Sequence, residues 1–262
     1  MKSLLGFLAL YLAAGYAIAT DNPTKADRGR EVVKSFTTSD DGFESSIAIM
    51  HMSIRDRRGA EITRRLELRT LEGHEPEGDR SVIIFLAPGD IAGTALLSHS
   101  RIEREDQQWL FLPSLSRVKR ISSANKSGPF VGSEFSYEDL AGQELQKFTY
   151  EWLREELYDG RISDVVRRTP RYKRSGYAFQ LLWIDRDAHQ IRQIHYYNRS
   201  EQHSKTLVMS AFEHHKSKFY RPHELLMANH LTGRETRLVV EELTLEASLT
   251  ARDFNHVDFA EQ

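Results

Sequence analysis

Any chemistry in this chain has to come from histidines, carboxylates and hydroxyls. It has 11 His, 38 Asp+Glu and no cysteine. Without Cys there are no disulfides, no thiolate nucleophile and no cysteine-based zinc site. Glu134, Glu138 and Asp139 form a carboxylate group beside a basic run. On a helix, Glu134 and Glu138 would share a face at i, i+4. Such a group suits a metal or acid–base work only in a buried cleft; capping, or pairing with nearby Lys and Arg, is the simpler use. His214, His215 and His223 flank a Tyr/Lys/Arg-rich loop. Adjacent histidines on a strand point to opposite faces, and there is no HExxH, so no metal site is expected. Lys126-Ser127-Gly128 has a phosphate loop's letters in the wrong order, since GxxxxGK[ST] is required. Ser98 and His99 belong to no GxSxG nucleophile motif. These residues predict no enzyme and no cofactor.

Binding chemistry is better represented. Asp106 to Leu140 reads DQQWLFLPSLSRVKRISSANKSGPFVGSEFSYEDL. An aromatic strand, a basic run, a Gly/Ser loop and an acidic segment lie in one block, which suits an amphiphile. Phe85, Trp109, Phe111, Phe130, Phe135 and Tyr137 are the candidates for lining an apolar cavity. Each buried methylene of an acyl chain would contribute roughly 0.8 kcal/mol there. The same residue types also build ordinary cores. Arg117, Lys119, Arg120 and Lys126 are the candidates for holding a phosphate or carboxylate headgroup, or a partner. On a strand, Arg117 and Lys119 would share one face and Arg120 the other. A solvated outer face is the alternative use for them. Gly128 and Gly132 are expected at a hinge.

The N-terminus speaks to compartment. Lys2 gives a positive start, and Leu4 to Ala14 is an apolar run too short to span a bilayer. Ala17-Ile18-Ala19 fits a signal-peptidase site, so residues 1–19 are expected to be a cleaved leader. No Cys follows to carry acyl chains, and no second long apolar run follows either, so a soluble secreted protein is expected. Lys+Arg 36 against Asp+Glu 38 gives a net charge of −2, with no global basic field to attract nucleic acid.

These residues need elements to position them. Residues 24–36 read as an amphipathic helix with Thr24 as N-cap and Asp27 in the first turn. Ala26, Gly29, Val32, Val33 and Phe36 share its apolar face. Period-two alternation then predicts strands over 46–54, around 62–69, 80–87 and 107–112. Others follow at 177–184, 190–198, 206–212, 225–231 and 237–245. Residues 133–141 are expected to form a second helix, with their acidic residues near its start. Several strands are apolar on both faces, so the sheet must be covered on both sides or curl around something. The expected architecture is mainly β, a curled antiparallel sheet whose hollow holds lid helices. No repeat or linker divides it, so residues 20–262 are expected to be a single domain.

These features resemble the LolA-like superfamily, and within it the longer outer membrane lipoprotein-sorting proteins. The match is carried by Trp109-Leu110-Phe111-Leu112-Pro113, Arg117-Val118-Lys119-Arg120-Ile121, Lys126-Ser127-Gly128 and residues 132–140. Phe85-Leu86-Ala87-Pro88 with Gly93-Thr94-Ala95 adds to it. The resemblance implies a half-open antiparallel β-barrel enclosing a hydrophobic cavity. It also implies the periplasm of a Gram-negative bacterium and cargo of lipoprotein acyl chains or lipid, passed toward the outer membrane. An inner-membrane donor transporter and an outer-membrane acceptor would be the partners. The alternative it leaves open is an accessory module of a transporter of the resistance-nodulation-division type.

Overall fold

The computed structural model describes residues 23–74 and 76–255; the expected leader lies outside them. The described residues open with helix α1, Lys25–Ser39. Thr24 caps it as expected. Its hydroxyl accepts from the Asp27 amide at 3.1 Å, and the Asp27 carboxylate accepts from the Thr24 amide at 3.2 Å. The helix runs three residues past the expected Phe36. The hydroxyls of Thr37, Thr38 and Ser39 turn back onto the carbonyls of Lys34 and Phe36, so these polar residues fit the last turn.

Six strands then form a meander: β1 Ser45–Arg55, β2 Glu61–Leu71, β3 Glu77–Ala87, β4 Ala95–Arg101, β5 Gln107–Leu112 and β6 Arg117–Arg120. Seven more form a second: β7 Phe148–Tyr158, β8 Arg161–Pro170, β9 Tyr177–Asp185, β10 Gln190–Asn198, β11 His203–His215, β12 Phe219–Asn229 and β13 Arg234–Leu245. Pairing of β1 with β13 fuses the two into one 13-stranded antiparallel sheet, with β6 and β7 at its edges. The sheet curls and stays open. Residues 121–147 cross from one edge to the other, and α1 packs on β7 and β8.

Strand alternation sorts the apolar residues onto two faces. The larger cluster fills the hollow with Met50, Met52, Leu66, Phe85, Leu96, Leu110, Leu182 and Met227, together with Val33 of α1. The other face of β3–β5 carries Val82, Ala95, Leu97 and Trp109. There the C-terminal turn Ala251–Phe254 covers them with Phe254. A sheet apolar on both faces is thus both curled and covered, as its sequence requires.

One expected element does not form. Residues 133–141 are not helical. Pro129 pairs with Ser136 as an isolated bridge, and the Phe130 amide bonds to the Phe135 carbonyl at 2.8 Å. Val131 and Gly132 turn at positive φ, +45° and +76°. Ser136 and Asp139 bond each other's amides, at 2.7 and 3.2 Å. Side chains that satisfy nearby backbone in this way compete with helix. Glu134 and Glu138 therefore share no helix face, and each is buried with its own partners.

Candidate ligand-binding site

The crossing segment is seated in the hollow by β5. The Ile121 amide bonds to the Gln108 carbonyl at 2.8 Å, and the fully buried Gln108 side chain donates to the Tyr137 carbonyl at 2.9 Å. The segment pushes Phe130 and Phe135, both buried, into the hollow. Phe130 stacks on Phe85 with ring centroids 5.6 Å apart, and Tyr137 meets Phe130 edge-on at 5.8 Å. Arg64 of β2 lies over Phe85 at 5.4 Å and donates to the Val131 carbonyl at 2.6 Å. The chain plugs its own hollow with an aromatic stack.

Beside the plug opens a cavity of about 510 Å³, bounded by the β4–β5 loop, the crossing segment and the β8–β9 loop. Its walls include Ile102, Ala141, Lys126, Lys147, Glu138 and Tyr172, with Arg104, Arg171 and Arg174 also lining it. The volume falls in the roughly 300–1,000 Å³ range of small-molecule pockets.

The charges in these walls are held firmly. Glu138 is buried, and accepts from the Tyr172 hydroxyl and the Gly176 amide, each at 2.8 Å, and from the Ser175 hydroxyl. Burial pushes its pKa above the usual carboxylate value against the pull of these three donors. Lys126 donates to the Asp106 carbonyl at 2.9 Å, and burial pulls its pKa down. Lys147 pairs with Asp106 at 2.5 Å and also donates to Ser100 and the Gly142 carbonyl, at 3.1 and 3.0 Å. Glu134 meets Arg234 at 3.1 Å and Asn229 at 2.6 Å. The expected carboxylate cluster is thus split between separate sites.

A family model described as "Uncharacterized protein" matches residues 77–259. A crystal structure from Vibrio parahaemolyticus, described as an outer membrane lipoprotein-sorting protein domain, is 38% identical. The match covers 90% of this chain and 99% of that one, with a TM-score of 0.87. The chain belongs to the family of outer membrane lipoprotein-sorting protein domains. A DUF1329 family protein from Desulfovibrio piger shares the fold at 24% identity and TM-score 0.85, covering 90% of this chain and 99% of that one. A LolA superfamily protein from Nitrosomonas europaea does so at 19% and 0.71, covering 87% and 98%. No curated protein matches the chain.

Within this LolA-like sheet the residues singled out from sequence divide. Phe85, Phe130, Phe135 and Tyr137 meet in the hollow. Trp109 and Phe111 do not join them. On β5 they alternate with Leu110 and Leu112, and they lie on the opposite face with Phe254 and His99. Leu110 and Leu112 take the inward places. Arg117, Lys119 and Arg120 are exposed on the edge strand β6. Lys119 lies opposite Leu110 and Arg117 opposite Leu112, whereas Arg120 lies opposite Trp109. Arg117 and Lys119 are therefore on the hollow's side of the sheet, and Lys126 is in the cavity wall. Ser98 and His99 face opposite ways: Ser98 accepts from Gln108 at 3.1 Å, and His99 donates to the Phe254 carbonyl at 2.8 Å. Sequence reasoning did not find Tyr172, Arg171, Arg174 and Lys147. The basic run Arg171-Tyr172-Lys173-Arg174 was a signal for the first three.

Proposed function

We propose that this chain is a periplasmic carrier that takes the acyl chains of a lipoprotein or lipid into its hollow and hands them toward the outer membrane. The observation that carries this reading is the aromatic plug with an open cavity whose walls carry Arg104, Lys126, Arg171 and Arg174 among Glu103, Glu105 and Asp106. Acyl chains would displace Phe130 and Phe135 and occupy apolar surface the protein now covers with its own rings. Arg117 and Lys119 at the open edge, with Lys126, Arg171 and Arg174 around the cavity, would face the headgroup. Binding is non-covalent. Exchanging one apolar occupant for another keeps the net affinity modest, which transport requires, because cargo must also leave.

A second reading is an accessory module of a resistance-nodulation-division transporter. It is favoured by how completely Phe130 and Phe135 already fill part of the hollow. For a carrier the partners would be an inner-membrane donor and an outer-membrane acceptor, and the expected leader at residues 1–19 suits a periplasmic address.

A fluorescent fatty acid titrated into the purified chain distinguishes the readings. A carrier binds it and releases it to lysophospholipid. Phe130→Leu, which thins the plug, binds it several-fold more tightly. The absence of binding by either protein favours the accessory reading.

A further inference from the structure

Adjacent histidines 214 and 215 do face opposite ways, yet the register of the β11–β12 hairpin gives His215 other company. Glu213 lies opposite Arg221 and His215 opposite Phe219, so Glu213 and His215 share a face with His223, two residues further along β12. The His215 and His223 Nε2 atoms are 2.8 Å apart, and their rings are nearly parallel at 4°. The Glu213 carboxylate is 3.7 Å from the His223 Nε2. All three ligand atoms lie within 4.8 Å of one another. Both histidines are half-buried and Glu213 is exposed.

We propose that Glu213, His215 and His223 bind a divalent transition-metal ion of the zinc type, with a coordination position left open to solvent. Two imidazole nitrogens and a carboxylate oxygen are a donor set that zinc accepts in open sites. Tetrahedral bonds of about 2.0–2.1 Å place two nitrogens about 3.3 Å apart. With ring centroids 5.0 Å apart the imidazoles stand end to end, so admitting an ion separates the nitrogens by about half an ångström and tilts the rings toward it. Without one, two nitrogens at 2.8 Å can share a single hydrogen. Arg221, opposite Glu213 in the hairpin, is committed elsewhere, with Nε and Nη2 each 2.8 Å from the Asp40 carboxylate. The site occupies the hairpin end of the face that carries Leu207, Met209 and Leu225 in the hollow.

The test uses the full chain freed of metal and titrated with Zn²⁺ against a chromogenic chelator. One ion per chain is expected. His215→Ala and His223→Ala should each weaken it by more than the roughly 10–100-fold typical of outer-shell changes. His214→Ala, on the other face, should leave it unchanged. Circular dichroism establishes that each variant is folded. In the unmutated chain, Co²⁺ should give the visible bands of a low-coordinate nitrogen–oxygen site, and Zn²⁺ should abolish them. Absence of binding, or binding as tight in His215→Ala and His223→Ala as in the unmutated chain, would overturn the proposal.

Discussion

Lys119 and Arg120 are chain neighbours with opposite surroundings. Lys119 sits across from inward-facing Leu110, and Arg120 across from outward-facing Trp109. If the hollow side of β6 meets a headgroup, Lys119→Glu should weaken fatty-acid binding roughly tenfold, the equivalent of about 1.4 kcal/mol. Arg120→Glu should leave it unchanged in the same titration. Equal effects would place the headgroup elsewhere. A second prediction concerns a histidine row on the sheet. His195 stacks between Trp183 and His203, at 4.4 and 4.3 Å, and His230 lies 4.6 Å from His203. Burial, and then the neighbouring His203 and His230, push the His195 pKa down to about 4, with Glu156 pulling the other way. The unfolded chain takes up that proton near pH 6.5, and the folded chain resists until about pH 4. Stability from this group is therefore intact above pH 6.5 and lost as pH falls toward 4. His195→Gln should flatten the fall of the thermal midpoint over that window relative to the unmutated chain. What was legible at this scale was residue type more than direction. The aromatics of the block 106–140 were marked for lining a cavity, but which of Trp109 and Leu110 turns inward depends on register. Nothing local in the sequence states register. The convergence of His215 with His223 was hidden for the same reason.

At the scale of elements, Gly29 shows how closely α1 sits on the sheet. A Cβ there would fall 2.6 Å from the Trp152 amide nitrogen and 2.9 Å from the Glu151 carbonyl carbon. Both are backbone, so the helix itself would have to move. Gly29→Ala should therefore lower the thermal midpoint, by an overpacking cost of about 1–3 kcal/mol. The intrinsic preference of helices for Ala over Gly, ~1 kcal/mol, acts the other way. Exposed Arg30→Ala should leave the midpoint near its starting value. Strands with clean alternation were legible: β5 and β10 begin and end at the residues expected. β4, β7 and β8 were missed. Residues 148–158 carry three glutamates, an arginine and two leucines, a helix-forming composition, and alternation is broken by a bulge between Trp152 and Arg154. Tertiary pairing overrides propensity there. The second helix failed for the opposite reason, because Ser136 and Asp139 satisfied their own backbone.

At the scale of the molecule, one pairing decides the architecture. β1 against β13 joins two meanders that would otherwise be separate sheets, and leaves β6 and β7 as free edges. The hollow between them is closed by residues 121–147 rather than by further hydrogen bonds. They hold the sheet through apolar contacts of Ile121, Phe130 and Phe135 and through polar ones: Lys147 to Asp106, Glu138 to the β8–β9 loop, and Glu134 to Arg234. A sheet closed by a segment in place of strands can exchange what fills it while its ladder stays paired. That is the physical basis of the carrier reading. Native mass spectrometry with lipid extraction, on protein purified from its native host, tests it most directly. A carrier should retain one acyl-chain species per chain and take up an offered lipid or lipopeptide. A bare protein mass, with no uptake of either, would contradict it.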